Sequence, residues 1–243
     1  MDTRVLPPVD PQPRVHGRSW WPGCWATPRW GVVVERVLRS PRLKRLMDVT
    51  VSGLALTGGA PLFLMVMLAV WCSSPGKLFY VQRRLGRDHK PFGCIKFRTM
   101  VQGADRQLRR TLKTSAQLQD DFRHCFKLKN DPRITPVGHM LRRTSLDELP
   151  QLLNILRGEM SLVGPRPIVR AEVERYGDAI HQVLSVRPGL TGLWQVSGRN
   201  NLTYAQRIAL DLQYVARRSI LLDLVILWRT VGVVLFPRDN GAY

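Results

Sequence analysis

Between Val49 and Gly76 the chain carries no charged side chain: VTVSGLALTGGAPLFLMVMLAVWCSSPG. About 20 apolar residues suffice to cross a bilayer as one helix, so a single span is the simplest reading. Two features argue for a different shape. Gly58, Gly59 and Pro61 lie near the middle and weaken a continuous helix there. Both flanks are basic, with Arg36, Arg39, Arg42, Lys44 and Arg45 before the segment and Lys77, Arg83, Arg84 and Arg87 after it. Lysine and arginine mark the cytoplasmic side of a membrane, so two basic flanks place both ends on that side. Each half is about a dozen residues, or roughly 18 Å of helix, enough to enter one leaflet and turn back. The expectation is a re-entrant helical hairpin over residues 41–76, kinked at Ala60-Pro61.

The rest of the chain is strongly basic. Among 243 residues, 37 Lys and Arg face 18 Asp and Glu, a formal net charge of +19, while 44% hydrophobic residues are enough for a core. This excess calls for an anionic partner: nucleic acid, an acidic membrane surface or a phosphorylated substrate. Cys24, Cys72, Cys94 and Cys125 show no CxxC pairing, so reduced thiols are expected and a zinc site or disulfide framework is not. Residues 1–30 mix Pro, Trp and Arg without a short apolar core and show no cleavable signal, and 1–40 read as an irregular leader. Trp20, Trp21, Trp25 and Trp30 in it suit either a membrane interface or an unstructured tail.

Beyond Gly76, the runs LFYVQRRLG and PFGCIKFRTM, separated by GRDHKP, predict a β-hairpin. Residues 104–128 read as a surface helix and loop, with turn signals at Asn130-Asp131-Pro132 and Thr135-Pro136. Ser145 to Leu156 reads as one helix, with Leu146, Leu149, Leu153 and Leu156 on one face. Residues 168–184 predict a further helix, RPGLTG at 187–192 a turn, and 204–217 and 219–236 two more helices. Asp223 and Arg229 make the last of these an interfacial helix rather than a span.

The chemistry concentrates in Leu141 to Pro167, LRRTSLDELPQLLNILRGEMSLVGPRP. Locally, Ser145-x-x-Glu148 is a capping box, and Asp147 suits the first turn of a helix. The neighbours add a second reading. Arg142 and Arg143 precede the acidic pair. Arg166 lies in a stiff Gly-Pro-Arg-Pro loop, Arg187 in Arg-Pro-Gly, and Arg199 in Gly-Arg-Asn. Arginine recognises phosphate in bidentate fashion, and carboxylates among arginines stay ionised, able to bind a divalent cation or attack phosphorus. Arginines fixed around one carboxylate pair suit a substrate with more than one phosphate.

KRLMD (44–48), FYVQRRLG (79–86), KFRTM (96–100), RRTSLDELPQLLNILRGEMSLVGPRP, RPGLTGLWQVSGRN (187–200) and LDLQYV (210–215) occur in an order that resembles the bacterial sugar transferases, the monotopic polyprenyl-phosphate phosphoglycosyl transferases. The resemblance runs from Arg42 to Phe236 and is to the short form of the family. It implies an α/β fold, helix-rich α+β, in a monotopic membrane enzyme on the cytoplasmic face of the bacterial inner membrane. Its parts would be a leader (1–40), the membrane hairpin (41–76), a catalytic domain with a small β-hairpin or sheet and interfacial amphipathic helices (77–236), and a short tail (237–243).

The resemblance also implies the chemistry. The donor would be a UDP-sugar and the acceptor polyprenyl phosphate, typically undecaprenyl phosphate, at the start of exopolysaccharide, capsule or O-antigen synthesis. Asp147 and Glu148 would be the catalytic dyad. Asp147 would attack the sugar-bearing phosphorus, release UMP and hold Mg²⁺ with substrate oxygens, while Glu148 would position groups or take up a proton. Arg142, Arg166, Arg187 and Arg199 are the candidate phosphate contacts. The partners implied are these substrates and inner-membrane lipid, not nucleic acid, and no oligomeric state is specified. The family often has Ser-Pro at the kink where this chain has Ala60-Pro61, and Thr57 is placed to bond a carbonyl behind it instead. Two other readings remain at this point: a non-catalytic basic membrane scaffold that binds anionic lipid or nucleic acid, and an ordinary glycosyltransferase that releases UDP.

Overall fold

The computed structural model describes residues 38–104, 106–108 and 131–235. The expectations for the leader before residue 38, for most of the surface helix over 104–128 and for the tail at 237–243 lie outside the described residues.

The apolar segment forms two helices, α1 (Pro41–Gly58) and α2 (Ala60–Ser73), bent by 65° at their junction. Gly59 makes the bend possible. Its N–H still bonds the Ala55 carbonyl at 3.0 Å, and a Cβ there would sit 2.5 Å from that oxygen. Pro61 follows in the first turn of α2, where its missing N–H costs nothing. Thr57 donates to the Gly53 carbonyl at 3.0 Å, the back-bond expected of it. No described single helix is long and apolar enough to cross a membrane.

Each helix has one face on the protein and one bare. Val66 and Val70 of α2 are buried with Phe97 and Leu141, and the Phe63 ring lies 4.9 Å from that of Phe97. Leu62, Leu64, Met65, Leu68 and Trp71 are exposed. The start of α1 is pinned by charge. Arg45 donates to the Ile155 and Leu156 carbonyls at 2.6 and 2.9 Å, satisfying the end of a later helix. Asp48 is buried and accepts from the Leu162 N–H at 3.0 Å and the Ser161 hydroxyl at 3.1 Å.

The β-hairpin forms as the alternation requires. Strands β1 (Phe79–Leu85) and β2 (Pro91–Phe97) pair antiparallel, Gln82 opposite Cys94 and Arg84 opposite Phe92. Side chains two apart share a face, so Phe92 and Cys94 anchor the buried side and Lys96 continues it toward the acidic pair. After the hairpin, α3 (Pro136–Thr144) starts on Thr135, whose Oγ1 accepts from the Gly138 N–H at 2.9 Å. α4 (Gln151–Arg157) packs on the hairpin through Asn154, which bonds the Ile95 N–H and the Gly93 carbonyl at 3.0 and 2.7 Å.

Three expectations are corrected. The helix read over Ser145–Leu156 is broken: Ser145 turns left-handed at φ 58°, Leu146–Glu148 is a 3-10 turn, and α4 begins only at Gln151. The helix read over 168–184 is a 3-10 turn (Arg170–Glu172) with two short helices, α5 (Val173–Tyr176) and α6 (Ala179–Val183), parted by Gly177 at φ 50°. RPGLTG is more than a turn. Its Gly189–Thr191 forms β4, which pairs parallel with β3 (Ser161–Val163) in a second two-stranded sheet.

The last two helices, α7 (Tyr204–Arg217) and α8 (Ile220–Leu235), lie where the periodicity puts them. α7 opens on a true capping box, Thr203 with Gln206. Asp223 of α8 is not on the outer face. It is buried, bonded to Lys44 Nζ at 2.9 Å and the Tyr214 hydroxyl at 2.8 Å, and so ties α8 to α1 and α7. The exposed face of α8 carries Leu221, Leu224, Val225, Trp228 and Val231. Among the described residues the fold is thus helix-rich α+β with two small sheets.

Candidate active site

The acidic pair reaches an open cleft because the chain turns sharply before it. Ser145 ends α3 in the left-handed region, a conformation that costs a non-glycine residue about 1–2 kcal/mol. Its hydroxyl oxygen accepts from Arg199 Nη2 at 3.2 Å. Ser145 makes no side-chain capping bond, and Glu148 is turned instead to Lys96, Nζ to Oε1 2.5 Å. The capping box therefore does not form here. The cleft holds about 940 Å³, with Asp147 and Glu148 in its wall.

The predicted cations divide. Arg142, Arg166 and Arg199 all line this cleft; Arg187 does not. The Arg142 guanidinium donates through Nε to Thr99 Oγ1 at 2.9 Å, and Asp147 is among its charged neighbours. Arg166 lies with its guanidinium carbon 5.9 Å from the Trp194 ring centroid, close enough for the ring face to hold the cation. Arg199 is at φ 50°, a bent conformation that suits the Gly198 corner before it. Arg187 instead donates through Nε to the Gly158 carbonyl at 2.8 Å, and its charged neighbours are Arg87, Arg45 and Asp48. The structure thus does not bring Arg187 to the acidic pair, despite its similar Pro/Gly frame.

Two cations not predicted for the site stand beside the pair. Lys96 is one. Arg84 is the other, fixed by Gln82 Oε1 at 2.7 Å and by the Pro167 carbonyl at 2.5 Å. Arg84 and Lys96 also line a small recess next to Glu148, shared with Arg166, Gln151 and Gln195. Alternation along the hairpin carries the signal: Arg84 is paired with Phe92 and Lys96 is two residues past Cys94, so both lie on the face that Phe92 and Cys94 bury, one on either side of them.

These charges separate the two carboxyls. Burial pushes Asp147 from an ordinary 3.8 up to about 6; Lys96 and Arg142 pull against that, and the like charge of Glu148 adds to it. Burial acts on Glu148 in the same direction, but Lys96, Arg166 and Arg84 overcome it and hold that carboxyl down at about 2. Glu148 is therefore a fixed anion, poorly suited to take up a proton, and Asp147 is the more basic of the two. Any chemistry that needs the Asp147 carboxylate should weaken as the pH falls through about 6. A pH profile of kcat/KM should then show an acid limb near that value. A limb near 4 would mean the reacting carboxyl is an ordinary one.

Among the described residues no three His, Cys, Asp or Glu side chains converge on one point. A closed protein cage for a metal is absent there. Magnesium often takes one or two carboxylates and draws its other ligands from phosphate and water, so Asp147 would be the side chain to hold it, with substrate phosphate supplying further oxygens.

The family model described as "Bacterial sugar transferase" matches residues 39–237. The exopolysaccharide production protein ExoY of Sinorhizobium fredii is 50% identical over 197 residues, covering 81% of this chain and 87% of that protein. The undecaprenyl-phosphate galactose phosphotransferase of Salmonella typhimurium is 47% identical over 206 residues, 84% of this chain and 43% of the relative. The UDP-glucose:undecaprenyl-phosphate glucose-1-phosphate transferase of Caulobacter vibrioides is 41% identical over 206 residues, 82% of this chain and 71% of the relative. The matched region holds the bent helix pair, both sheets, the acidic pair and every cation of the cleft, and the chain belongs to the bacterial sugar transferase family.

Proposed function

We propose that this protein transfers a hexose 1-phosphate from a UDP-sugar to undecaprenyl phosphate, the first step of an exopolysaccharide, capsule or O-antigen. The observation that carries this reading is a buried carboxyl, Asp147, made unusually basic within a cleft also lined by Arg84, Lys96, Arg142, Arg166 and Arg199. The names of the relatives supply the substrate classes.

In the first half-reaction an Asp147 oxygen attacks the sugar-bearing phosphorus. An O–P bond forms, the bridging P–O bond breaks, and its electron pair leaves on the phosphate of UMP. A more basic carboxylate is a better nucleophile, and the surrounding guanidinium groups stabilise the charge that gathers on UMP. In the second half-reaction a phosphate oxygen of undecaprenyl phosphate attacks the same phosphorus and the Asp147–phosphorus bond breaks. Asp147 is regenerated, and neither step needs a proton from Glu148. That residue acts as the anchor of Lys96 and holds its ammonium beside the phosphates. A bound magnesium ion, held by Asp147, would screen the repulsion between carboxylate and diphosphate.

The bent pair α1–α2 suits a re-entrant hairpin on the cytoplasmic face of the inner membrane, with the bare leucines in lipid and the cleft at headgroup depth. A covalent intermediate then divides the reaction between a water-soluble donor and a lipid acceptor. The scaffold alternative assigns no task to the basic Asp147. The test is incubation of purified full-length protein with UDP-hexoses, Mg²⁺ and undecaprenyl phosphate. The expected product is UMP, formed with the lipid-linked sugar. UDP release would indicate ordinary glycosyl transfer, and salt-sensitive lipid binding without turnover would indicate the scaffold.

A further inference from the structure

The elements that line the cleft differ in chemistry. Lys77, Arg98 and Gln102 bring polar groups suited to a nucleoside diphosphate. Leu162 and Leu190 at the parallel strands and Leu227, Thr230 and Val234 of α8 bring a largely apolar wall. The last three recur at i, i+3 and i+7 and make one stripe along the helix. Thr230 adds little polarity to it, because its hydroxyl is already bonded to the Ile226 carbonyl and to Thr191 Oγ1, each at 2.8 Å. Beside this stripe runs another, Leu224, Trp228 and Val231, which are 50%, 79% and 51% exposed. At 100° per residue, Leu227 lies only about 40–60° around the helix from Val231 and Leu224. The apolar wall of the cleft therefore continues into the bare apolar face of α8. Trp194 also lines the cleft and carries Arg166 near its ring.

We propose that the isoprenoid chain of the lipid acceptor lies along the Leu227–Thr230–Val234 stripe of α8. Its phosphate faces Arg166 and Arg199, and the rest of the chain leaves across Leu224, Trp228 and Val231 into the membrane. Charge complementarity sets the direction: the phosphate goes to the cations, of which Arg166 shares a recess with Leu190, and the hydrocarbon continues along α8. The donor occupies the part of the cleft that carries Lys77, Arg98 and Gln102. This assignment rests on the function proposed above and adds to it the path of the acceptor.

The experiment uses the full chain in lipid nanodiscs and a polyprenyl phosphate bearing a diazirine in its first isoprene units. Photolysis should label residues within 224–234, and excess undecaprenyl phosphate should suppress the label. In parallel, Leu227→Ser with Val234→Ser should raise the KM for undecaprenyl phosphate about tenfold, as lost apolar contacts in a binding pocket do. It should narrow the preference for a long over a short isoprenyl phosphate and move the KM for the donor far less. Labelling on α2 instead, with turnover intact, would overturn the proposed path alone. Absence of turnover in the unmutated protein would remove the underlying reading, and this proposal with it.

Discussion

Asp147→Asn should lose at least about 1,000-fold in UMP release, the scale seen when a nucleophile is removed from an otherwise intact site. It should also make the protein more stable. The carboxyl is pushed from 3.8 to about 6 by burial, so keeping it ionised in the folded chain at pH 7.5 costs on the order of 1–3 kcal/mol, and a neutral amide of the same shape avoids that cost. The sign can be followed with pH. A group whose folded pKa is raised binds its proton in the folded state first, so the cost that Asp147 imposes on the fold falls away as the pH drops from about 6 toward 3.8. The advantage of the variant should shrink over the same range. Thermal unfolding in detergent at several pH values checks this. Activity lost together with stability would point to misfolding instead.

Gly189→Ala should fail for a different reason. The parallel pair β3–β4 is only three residues long on each side, and it brings two backbones into direct contact. Gly189 N–H donates to the Pro165 carbonyl at 2.8 Å and Gly164 N–H to the Thr191 carbonyl at 2.9 Å. A Cβ on Gly189 would lie 2.1 Å from the Gly164 nitrogen and 2.4 Å from the Thr191 oxygen. Backbone cannot swing aside as a side chain can, so the loop that carries Arg166 must shift. The expected cost is about 3 kcal/mol or more, at the upper end of overpacking effects, with donor cleavage lost as Arg166 moves. Gly232→Ala is the control: it sits in α8 with nothing within 4 Å of the added methyl, and should be neutral or slightly stabilising. Equal unfolding midpoints for the two variants would contradict this account of the glycine pair.

What the sequence shows, and what it hides, follows from the range of each interaction. The β-hairpin and the two C-terminal helices are legible because their periodicity is local. So is the break between α1 and α2, since glycines and a proline interrupt an otherwise uniform apolar run. The β3–β4 pair is hidden because three residues carry no usable period and their partners lie far apart in the chain. Ser145 misleads because S-x-x-E is the pattern of a cap, and only the long-range bonds to Arg199 and Lys96 draw its two ends elsewhere. Arg187 and Arg166 have similar Pro/Gly frames, yet the Gly158 carbonyl holds the first and the cleft receives the second. Asp223 reads as a charge on an interfacial helix until Lys44, from the other end of the chain, is found against it.

The central claim is that the Asp147 side chain carries the phosphosugar during turnover. The direct measurement is the intact mass of the protein after incubation with UDP-hexose and Mg²⁺ with no lipid acceptor present. The expected result is a species heavier by one hexose phosphate, mapped by peptide analysis to Asp147 and discharged when undecaprenyl phosphate is added. UMP release with no such species, or the adduct on another residue, would contradict the account.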